Sequence, residues 1–147
     1  MKMTKFMLMA AGVMSMTFSV LAADVAVTIT GNDTMQFDKK AFEVSAGDKV
    51  TLTFKNVGKL PIVAMGHNLV ILNAGEATAP FAIAAMTQKD NDYIPAAMAD
   101  KILAQTKLLG PGEEDVLTFT APAAGTYNYL CTFPGHYAVM NGVMTVK

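Results

Sequence analysis

Arginine and tryptophan are both absent from this sequence of 147 residues, and cysteine occurs once. The eleven positively charged residues are therefore all lysines, and twelve acidic residues leave a formal net charge of −1. The lysines are scattered among the acids rather than gathered into one stripe. Because nucleic-acid binding depends on a basic surface that neutralises phosphates, the composition excludes a nucleic-acid-binding protein.

The N-terminal segment differs in character from the rest of the chain. Two lysines precede a mostly apolar stretch that ends at Leu21, and small residues follow at Ala22 and Ala23. This pattern predicts a signal peptide over residues 1–22 that is removed by cleavage after Ala22, and one domain over residues 23–147. A membrane anchor is the alternative, but serine and threonine interrupt the apolar stretch, which is marginal against the ~20 residues of a spanning helix.

Cys131 is the single cysteine of a chain that we expect to be exported. Exported proteins usually pair their cysteines as disulfides, because the compartment is oxidising. An unpaired thiol there needs protection or a function. A metal provides both, since a metal-bound thiolate is less available for oxidation.

Apolar residues alternate with polar or small residues in several short segments of the domain. Val25, Val27 and Ile29 show this period of two, which is typical of a half-buried β-strand. Turns rich in glycine, proline, asparagine and aspartate separate the segments. The pattern predicts an all-β sandwich of about seven to eight strands. The predicted strands are residues 24–30, 41–45, 50–55, 68–72, 117–120, 127–131 and 143–146.

The segment of residues 74–106 interrupts the strand pattern, because it is rich in alanine and methionine. Residues 96–103 are good helix formers, and they follow Pro95, a residue type that is favoured at the start of a helix. We therefore predict one inserted helical flap at 74–106, with its helix after Pro95.

Three residues near the C-terminus have side chains that bind soft metals. Cys131, His136 and Met140 supply a thiolate, an imidazole and a thioether, and a Pro-Gly pair predicts a tight turn between the first two. His67 is the one other histidine, so a single site would take up every cysteine and histidine of the chain. Two histidines, a cysteine and a weak axial thioether are the ligand set of blue copper electron-transfer sites.

Other interpretations of these residues stay open. Zinc also binds cysteine and histidine, but it rarely recruits a thioether, so the methionine favours copper. Taken singly, each residue is compatible with a structural or core position. A site filled by four protein ligands has no open position for a substrate, so the pattern favours an electron carrier over an enzyme. Copper delivery or storage is the alternative function, and a metal-free adhesion domain is a further one.

Sequence motifs around these residues resemble the azurins. The string from Cys131 to His136, Cys-Thr-Phe-Pro-Gly-His, matches the azurin copper loop, and residues 140–147 resemble the closing strand of that family. Residues 31–37 and 60–68 also look like azurin segments. The resemblance implies a cupredoxin fold, that is, a Greek-key β-sandwich, and one copper ion that alternates between Cu(I) and Cu(II). It also implies a periplasmic protein that carries single electrons between redox partners.

The same resemblance implies a role for each matching residue. Asn68 would brace the ligand loops, and the Phe133 amide would donate a hydrogen bond to the thiolate sulfur, which raises the reduction potential. The implied copper ligands are His67, Cys131 and His136 in the equatorial plane, Met140 at a distant axial position and, as a weak contact, the carbonyl of Gly66.

An apolar docking surface around the copper-loop histidine is also implied by the resemblance. A flat apolar surface gives weak, rapidly dissociating complexes, which suit a shuttle that visits c-type cytochromes, reductases or dehydrogenases. The matching residues are Met35, Met65, Phe133, Pro134 and Ala138.

Three common azurin features are missing from this chain. Azurins usually have a disulfide near the N-terminus, and Val25 and Gly47 stand at the matching positions. Leu69 stands where some azurins have a buried tryptophan, and Asn56 stands where many have an additional histidine. Because losing a disulfide typically costs about 2 to 5 kcal/mol in a small secreted domain, we expect compensating packing or lower stability.

Overall fold

The computed structural model describes residues 21–147, so the predicted signal peptide lies almost entirely outside the described residues. Their two α-helices are α1 (Ile62–Met65) and α2 (Thr78–Ala85), and neither they nor any other helix of this part of the chain is long and apolar enough to cross a membrane. The nine strands of the same part are β1 (Asp24–Asn32), β2 (Gln36–Phe37), β3 (Ala41–Val44), β4 (Lys49–Asn56), β5 (Val70–Leu72), β6 (Ile102–Gln105), β7 (Glu114–Thr120), β8 (Gly125–Leu130) and β9 (Asn141–Val146).

The strands form two mixed sheets, which confirms the predicted all-β sandwich. One sheet has the order β2-β1-β4-β7, and the other has the order β3-β9-β8-β5-β6. The pairs β1 with β4 and β3 with β9 are parallel, whereas the other pairs are antiparallel. The sequence pattern located seven of the nine strands and did not locate β2 or β6.

Alternating apolar residues of both sheets face each other and form the core. On β4, Val50, Leu52 and Phe54 are fully buried, whereas Lys49 before them and Thr51 between them are exposed. The opposite sheet contributes Tyr129 and Met144, both also fully buried. The period of two in the sequence therefore reports which side chains lie between the sheets.

The helix predicted after Pro95 begins where expected, but its type and its end differ from the prediction. Residues 96–101 form a 3₁₀ helix with non-helical backbone angles at Met98, and Ile102 begins strand β6. Ile102 pairs with Leu72, so pairing with β5 overrides the helix propensity of this segment. The α-helix of the flap is instead α2, where Phe81 and Ala82 pack into an apolar cluster with β5 and β8, and Ala85 packs into the main core.

Candidate metal centre

His67, Cys131 and His136 converge at one end of the sandwich. Their ligand atoms all lie within 4.8 Å of one another, and each side chain is nearly or fully buried. The Cys131 Sγ lies 3.6 Å from Nδ1 of His136 and 3.9 Å from Nδ1 of His67. The two imidazole rings are tilted at 49° to each other, with centroids 5.0 Å apart. Two imidazoles and one thiol therefore meet around one small volume.

The loop between β8 and β9 brings Cys131 and His136 together. Cys131 directly follows β8, and its N–H donates to the Met140 carbonyl at 3.0 Å. The His136 N–H donates to the Phe133 carbonyl at 3.0 Å, and the His136 carbonyl accepts the Met140 N–H at 2.8 Å. Gly135 has a φ of +84°, a conformation that glycine adopts without strain. The turn expected from the Pro-Gly pair is therefore the turn that folds His136 back beside the sulfur.

His67 reaches the site from the other side, between α1 and β5. Its backbone exchanges two hydrogen bonds with Leu109, at 3.1 and 2.8 Å, which forms an isolated bridge. Its Nε2 lies 2.9 Å from the carbonyl of Asn32. Because a carbonyl only accepts hydrogen bonds, Nε2 carries the proton in the neutral ring, and Nδ1 presents its lone pair towards Cys131.

Burial sets the protonation of these groups in the absence of a metal. It raises the pKa of the Cys131 thiol to about 12, although backbone N–H groups of Asn68 and Phe133 act in the opposite direction. Burial, together with the neighbouring His67, lowers the pKa of His136 to about 4, and burial also lowers the pKa of His67. The metal-free site at neutral pH therefore holds a neutral thiol between two neutral imidazoles.

Asn68 connects the ligand loops in the manner that the family resemblance implied. Its Oδ1 accepts the Thr132 N–H at 2.8 Å, and its Nδ2 donates to the Thr132 Oγ1 at 2.7 Å and to the Asp92 carbonyl at 3.0 Å. Its backbone N–H and that of Phe133 both donate to the Cys131 sulfur. The second sulfur donor, from Asn68 itself, was not anticipated from the sequence.

Met140 is fully buried beside this cluster. A Cβ on Gly31 would lie 2.6 Å from the Met140 Cε, so the methyl group occupies the space that the glycine leaves free. Gly66 is buried immediately before His67, and a Cβ there would lie 2.8 Å from the Ile62 carbonyl. The axial role of Met140 and the weak contact of the Gly66 carbonyl stay predictions.

The residues that are present fit a copper ion. The buried thiol has an imidazole nitrogen on each of two histidines within 4 Å, and burial keeps both imidazoles neutral with Nδ1 towards the sulfur. Thiolate with imidazole suits copper and zinc, and a nearby buried thioether favours copper over zinc.

The predicted docking residues differ in how far they reach the surface. Ala138 is exposed, whereas Met35, Met65 and Pro134 are half-buried. Phe133 is only 9% exposed, so its ring lies beneath the surface rather than on it. There it stacks near His136, with ring centroids 4.7 Å apart.

Several residues of this end of the molecule were not anticipated from the sequence. Val63 and Val139 are 78% and 44% exposed, and single exposed valines in a loop or a short helix give no sequence pattern that marks them. A cavity of about 110 Å³ beside the Phe133 ring is lined by Ile62, Val63, Lys89, Tyr93, Leu108 and Phe133.

The model of the family described as "Copper binding proteins, plastocyanin/azurin family" matches residues 23–147. The chain belongs to this family. The plastocyanin/azurin assignment agrees with the sandwich and with the convergence of His67, Cys131 and His136 at one end of it.

Individual plastocyanin/azurin relatives cover most of the chain. It is 45% identical over 129 residues to the azurin of Bordetella pertussis, an alignment that covers 85% of each chain. Among solved structures, the dithionite-reduced auracyanin of Roseiflexus castenholzii is 42% identical, covers 86% of this chain and 99% of that chain, and has a TM-score of 0.76. Auracyanin A, a "blue" copper protein from Chloroflexus aurantiacus, is 38% identical, with coverages of 84% and 99% and a TM-score of 0.76.

Proposed function

We propose that this protein is a periplasmic blue copper protein that shuttles single electrons between redox partners. One copper ion would be held by His67, Cys131 and His136, with Met140 as the distant axial ligand and the Gly66 carbonyl as a weak contact. The observation that carries the proposal is the buried Cys131 Sγ between the Nδ1 atoms of two histidines, at 3.6 and 3.9 Å.

Copper supplies a one-electron couple in such a site, because it is stable as Cu(I) and as Cu(II) with these ligands. The residues of this chain hold the three donors close together before any metal arrives, through hydrogen bonds of the Cys131, His136 and His67 backbones. Little reorganisation is then needed when the charge of the site changes. The burial of all three side chains also excludes water from the site.

Hydrogen bonds to the sulfur act on the reduction potential. The N–H groups of Asn68 and Phe133 withdraw electron density from the Cys131 sulfur. A less electron-rich thiolate stabilises the more positive oxidation state less well, so both bonds favour the reduced form. The two backbone donors therefore raise the potential of the site.

The visible spectrum of the copper-loaded protein tests the proposal. We expect one equivalent of Cu(II) to give an intense blue absorption band from thiolate-to-copper charge transfer. The variant Cys131→Ser should fold, because the cysteine is a small buried residue, but it should give no such band. A colourless Cu(II) complex of the unmodified chain would contradict the proposal.

Copper exchange separates the electron carrier from the alternative of copper delivery or storage. A closed, buried site should release Cu(I) slowly to a competing chelator, since its three ligands are at most 3% exposed. Release within seconds, together with a weak blue band, would favour delivery over electron transfer. Turnover of a small substrate at the copper would contradict the expectation that the protein is not an enzyme.

Export to the periplasm is supported by the N-terminal pattern of charged, apolar and small residues. Expression of the full chain in a bacterium and mass spectrometry of the periplasmic fraction test this part. We expect a protein that begins at Ala23. A full-length chain that stays in the membrane fraction would instead support the anchor.

Partners such as c-type cytochromes, reductases or dehydrogenases would dock on the apolar surface around His136. The surface consists of Met35, Met65, Pro134 and Ala138, together with the exposed Val63 and Val139. Apolar side chains on a small surface suit brief contact rather than a durable complex.

Two exposed valines give a matched test of this docking surface. Val139 follows the copper loop, whereas Val116 points outward from β7, and the two are 44% and 52% exposed. We expect Val139→Asp to slow second-order electron transfer with a c-type cytochrome about tenfold, as for roughly 1.4 kcal/mol of lost docking. Val116→Asp should leave the rate unchanged. Equal rates for both variants would contradict docking at this surface.

A further inference from the structure

A buried carboxylate lies at the end of the sandwich that is remote from the metal centre. Strand β1 runs from Asp24 at this end to Gly31, which lies against Met140. Asp48, just before β4, is only 5% exposed, and a surface cavity of about 290 Å³ opens beside it.

The contacts of Asp48 are backbone N–H groups. Its Oδ1 accepts the Ala23 N–H at 3.0 Å, and its Oδ2 accepts the Ser45 N–H at 2.8 Å. These hydrogen bonds hold the pKa of the carboxyl below its ordinary value, so it is ionised at neutral pH. Within residues 21–147 no lysine or histidine forms a salt bridge with Asp48.

Other charged groups at this end leave Asp48 available to a further cation. Glu43 and Lys147 line the same cavity and pair with each other. The Lys147 carbonyl also accepts the Ala46 N–H at 2.8 Å. Asp24 on β1 stands opposite Lys49 on β4 in the strand register, and both residues are exposed. An ionised carboxylate with this degree of burial is stabilised by a nearby cation.

We propose that Asp48 is the binding site for the α-ammonium group of Ala23, which is formed when the Ala22–Ala23 bond is cleaved. The inference rests on the proposed export and on cleavage at that bond. Hydrolysis adds one water molecule, so that Ala22 leaves with a carboxylate and the Ala23 nitrogen becomes an ammonium group with three N–H bonds. That nitrogen already lies within hydrogen-bond distance of the carboxylate, and both alanines are exposed to a peptidase.

The ion pair joins the same two strands that the missing disulfide would join. Val25 on β1 and Gly47 beside β4 stand at the disulfide positions, and Asp48 directly follows Gly47. The Ala23 carbonyl also accepts the Lys49 N–H at 2.8 Å. Processing would therefore add a positive charge to a hydrogen-bonded link between the starts of β1 and β4 that the unprocessed chain already has.

Three metal-free chains test the ion pair: one that begins with the free amine of Ala23, the same chain acetylated at Ala23, and one that retains Leu21 and Ala22. Acetylation keeps the N–H donor to Asp48 and removes only the charge. At pH 7 we expect the free-amine chain to unfold at a temperature roughly 2–5 °C higher than the other two.

The pH dependence of this difference in unfolding temperature shows whether the charged amine causes it. Pairing with Asp48 raises the pKa of the amine above its ordinary value of about 8. The added stability is therefore complete between about pH 5, where Asp48 is ionised, and about pH 8, and it is lost as the pH rises through the raised pKa of the amine. A ¹³C NMR titration of Ala23 should show that pKa directly. Lysines, tyrosines and the thiol titrate in all three chains, so their effects cancel.

Asp48→Asn is the matched variant, because the amide keeps an acceptor oxygen and loses the charge. It should abolish the difference between the free and acetylated chains and return the pKa of the amine to about 8. Glu43→Gln, which changes the neighbouring carboxylate of the same cavity, should preserve the difference.

Two outcomes would overturn the ion pair: equal unfolding temperatures for the free and acetylated chains, or an ordinary pKa of the amine in the folded protein. A periplasmic protein that begins at another residue would overturn the processing step, whatever the chains made in vitro show. The blue spectrum should be the same for all three chains, so the outcome is independent of copper function.

Discussion

The protonation of Cys131 couples metal binding to pH at the scale of a single residue. Because the pKa of the buried thiol is about 12 and that of His136 is about 4, metal binding at pH 7 must displace a proton from the thiol and none from that histidine. We expect about one proton to be released per metal ion. Calorimetric titration in buffers of different ionisation enthalpy measures this number.

Cys131→Ser is the control for proton release, since a serine hydroxyl keeps its proton under these conditions. Any metal that still binds to this variant through His67 and His136 should release close to no protons at pH 7. Release of two or more protons by the unmodified chain would show that a histidine is charged in the metal-free site, contrary to the lowered pKa values.

Gly31 determines how closely Met140 packs against the end of β1. Gly31→Ala would place a Cβ 2.6 Å from the Met140 Cε and 3.1 Å from the Phe54 ring, so one of them has to move. We expect the metal-free protein to lose about 1–3 kcal/mol of unfolding free energy, as for other overpacked cores. If Met140 is the axial ligand, the reduction potential of the copper-loaded protein should change as well.

Gly125→Ala is the matched substitution, in the other sheet and at the start of β8. The nearest atom to its new Cβ is 3.7 Å away, on the Tyr127 ring, which is ordinary van der Waals contact. Stability should stay equal or rise slightly, because alanine restricts the unfolded chain. The reduction potential should not change. If Gly31→Ala left stability and potential equally unaffected, the packing role of Gly31 would be wrong.

At the scale of elements, the sequence predicted strands better than it predicted the flap. The alternation at Val50, Leu52 and Phe54 reports burial directly, because every second side chain of a strand in one sheet points towards the facing sheet. Strand β2, which has two residues, is too short to show a period. Strand β6 was mistaken for a helix, because its pairing with β5 is a tertiary interaction that local propensity does not contain.

The candidate site shows the same division between local and tertiary information. Cys131 and His136 belong to one loop, whose spacing can be read from the sequence, and His67 was identified because no other histidine exists. The carbonyl of Asn32 that orients His67 and the link from Asn68 to Asp92 join distant segments. Such contacts between distant segments leave no pattern in the sequence, so they can be identified only from the structure.

Asn68 joins three elements of the metal end: its own loop, the copper loop and the flap. Asn68→Ala would leave the buried Thr132 N–H and the Asp92 carbonyl without their partner. We expect a loss of about 1–3 kcal/mol of unfolding free energy in the metal-free protein. Hydrogen exchange of the Thr132 amide should accelerate more than exchange in β4, because the effect is local to the loops.

Asn73→Ala is the matched control, because Asn73 also binds the flap through its side chain but lies outside the metal end. Its Nδ2 donates to the Asp100 carbonyl at 2.8 Å in an exposed position, where water replaces the lost bond. We expect a loss of unfolding free energy below about 1 kcal/mol, and no change in hydrogen exchange of the Thr132 amide. Equal losses for the two variants would contradict a special role for Asn68.

At the scale of the whole molecule, the two histidines make the stability of the metal-free protein depend on mildly acidic pH. Burial lowers the pKa of His67, and burial with the neighbouring histidine lowers that of His136 to about 4. The unfolded chain therefore binds protons that the folded chain excludes as the pH falls from about 6.5 to about 4. Above pH 7 both states are unprotonated, and this contribution is complete and constant.

We expect the unfolding free energy of the metal-free protein to fall by on the order of 2–3 kcal/mol across that interval, since each unit of pKa corresponds to about 1.4 kcal/mol. Urea unfolding at a series of pH values measures it. His136→Gln should flatten the slope, whereas carboxylates such as Asp48, whose stabilising charge is lost only below about pH 4, titrate equally in both proteins. Identical slopes for the two proteins would show that His136 becomes protonated without unfolding the site.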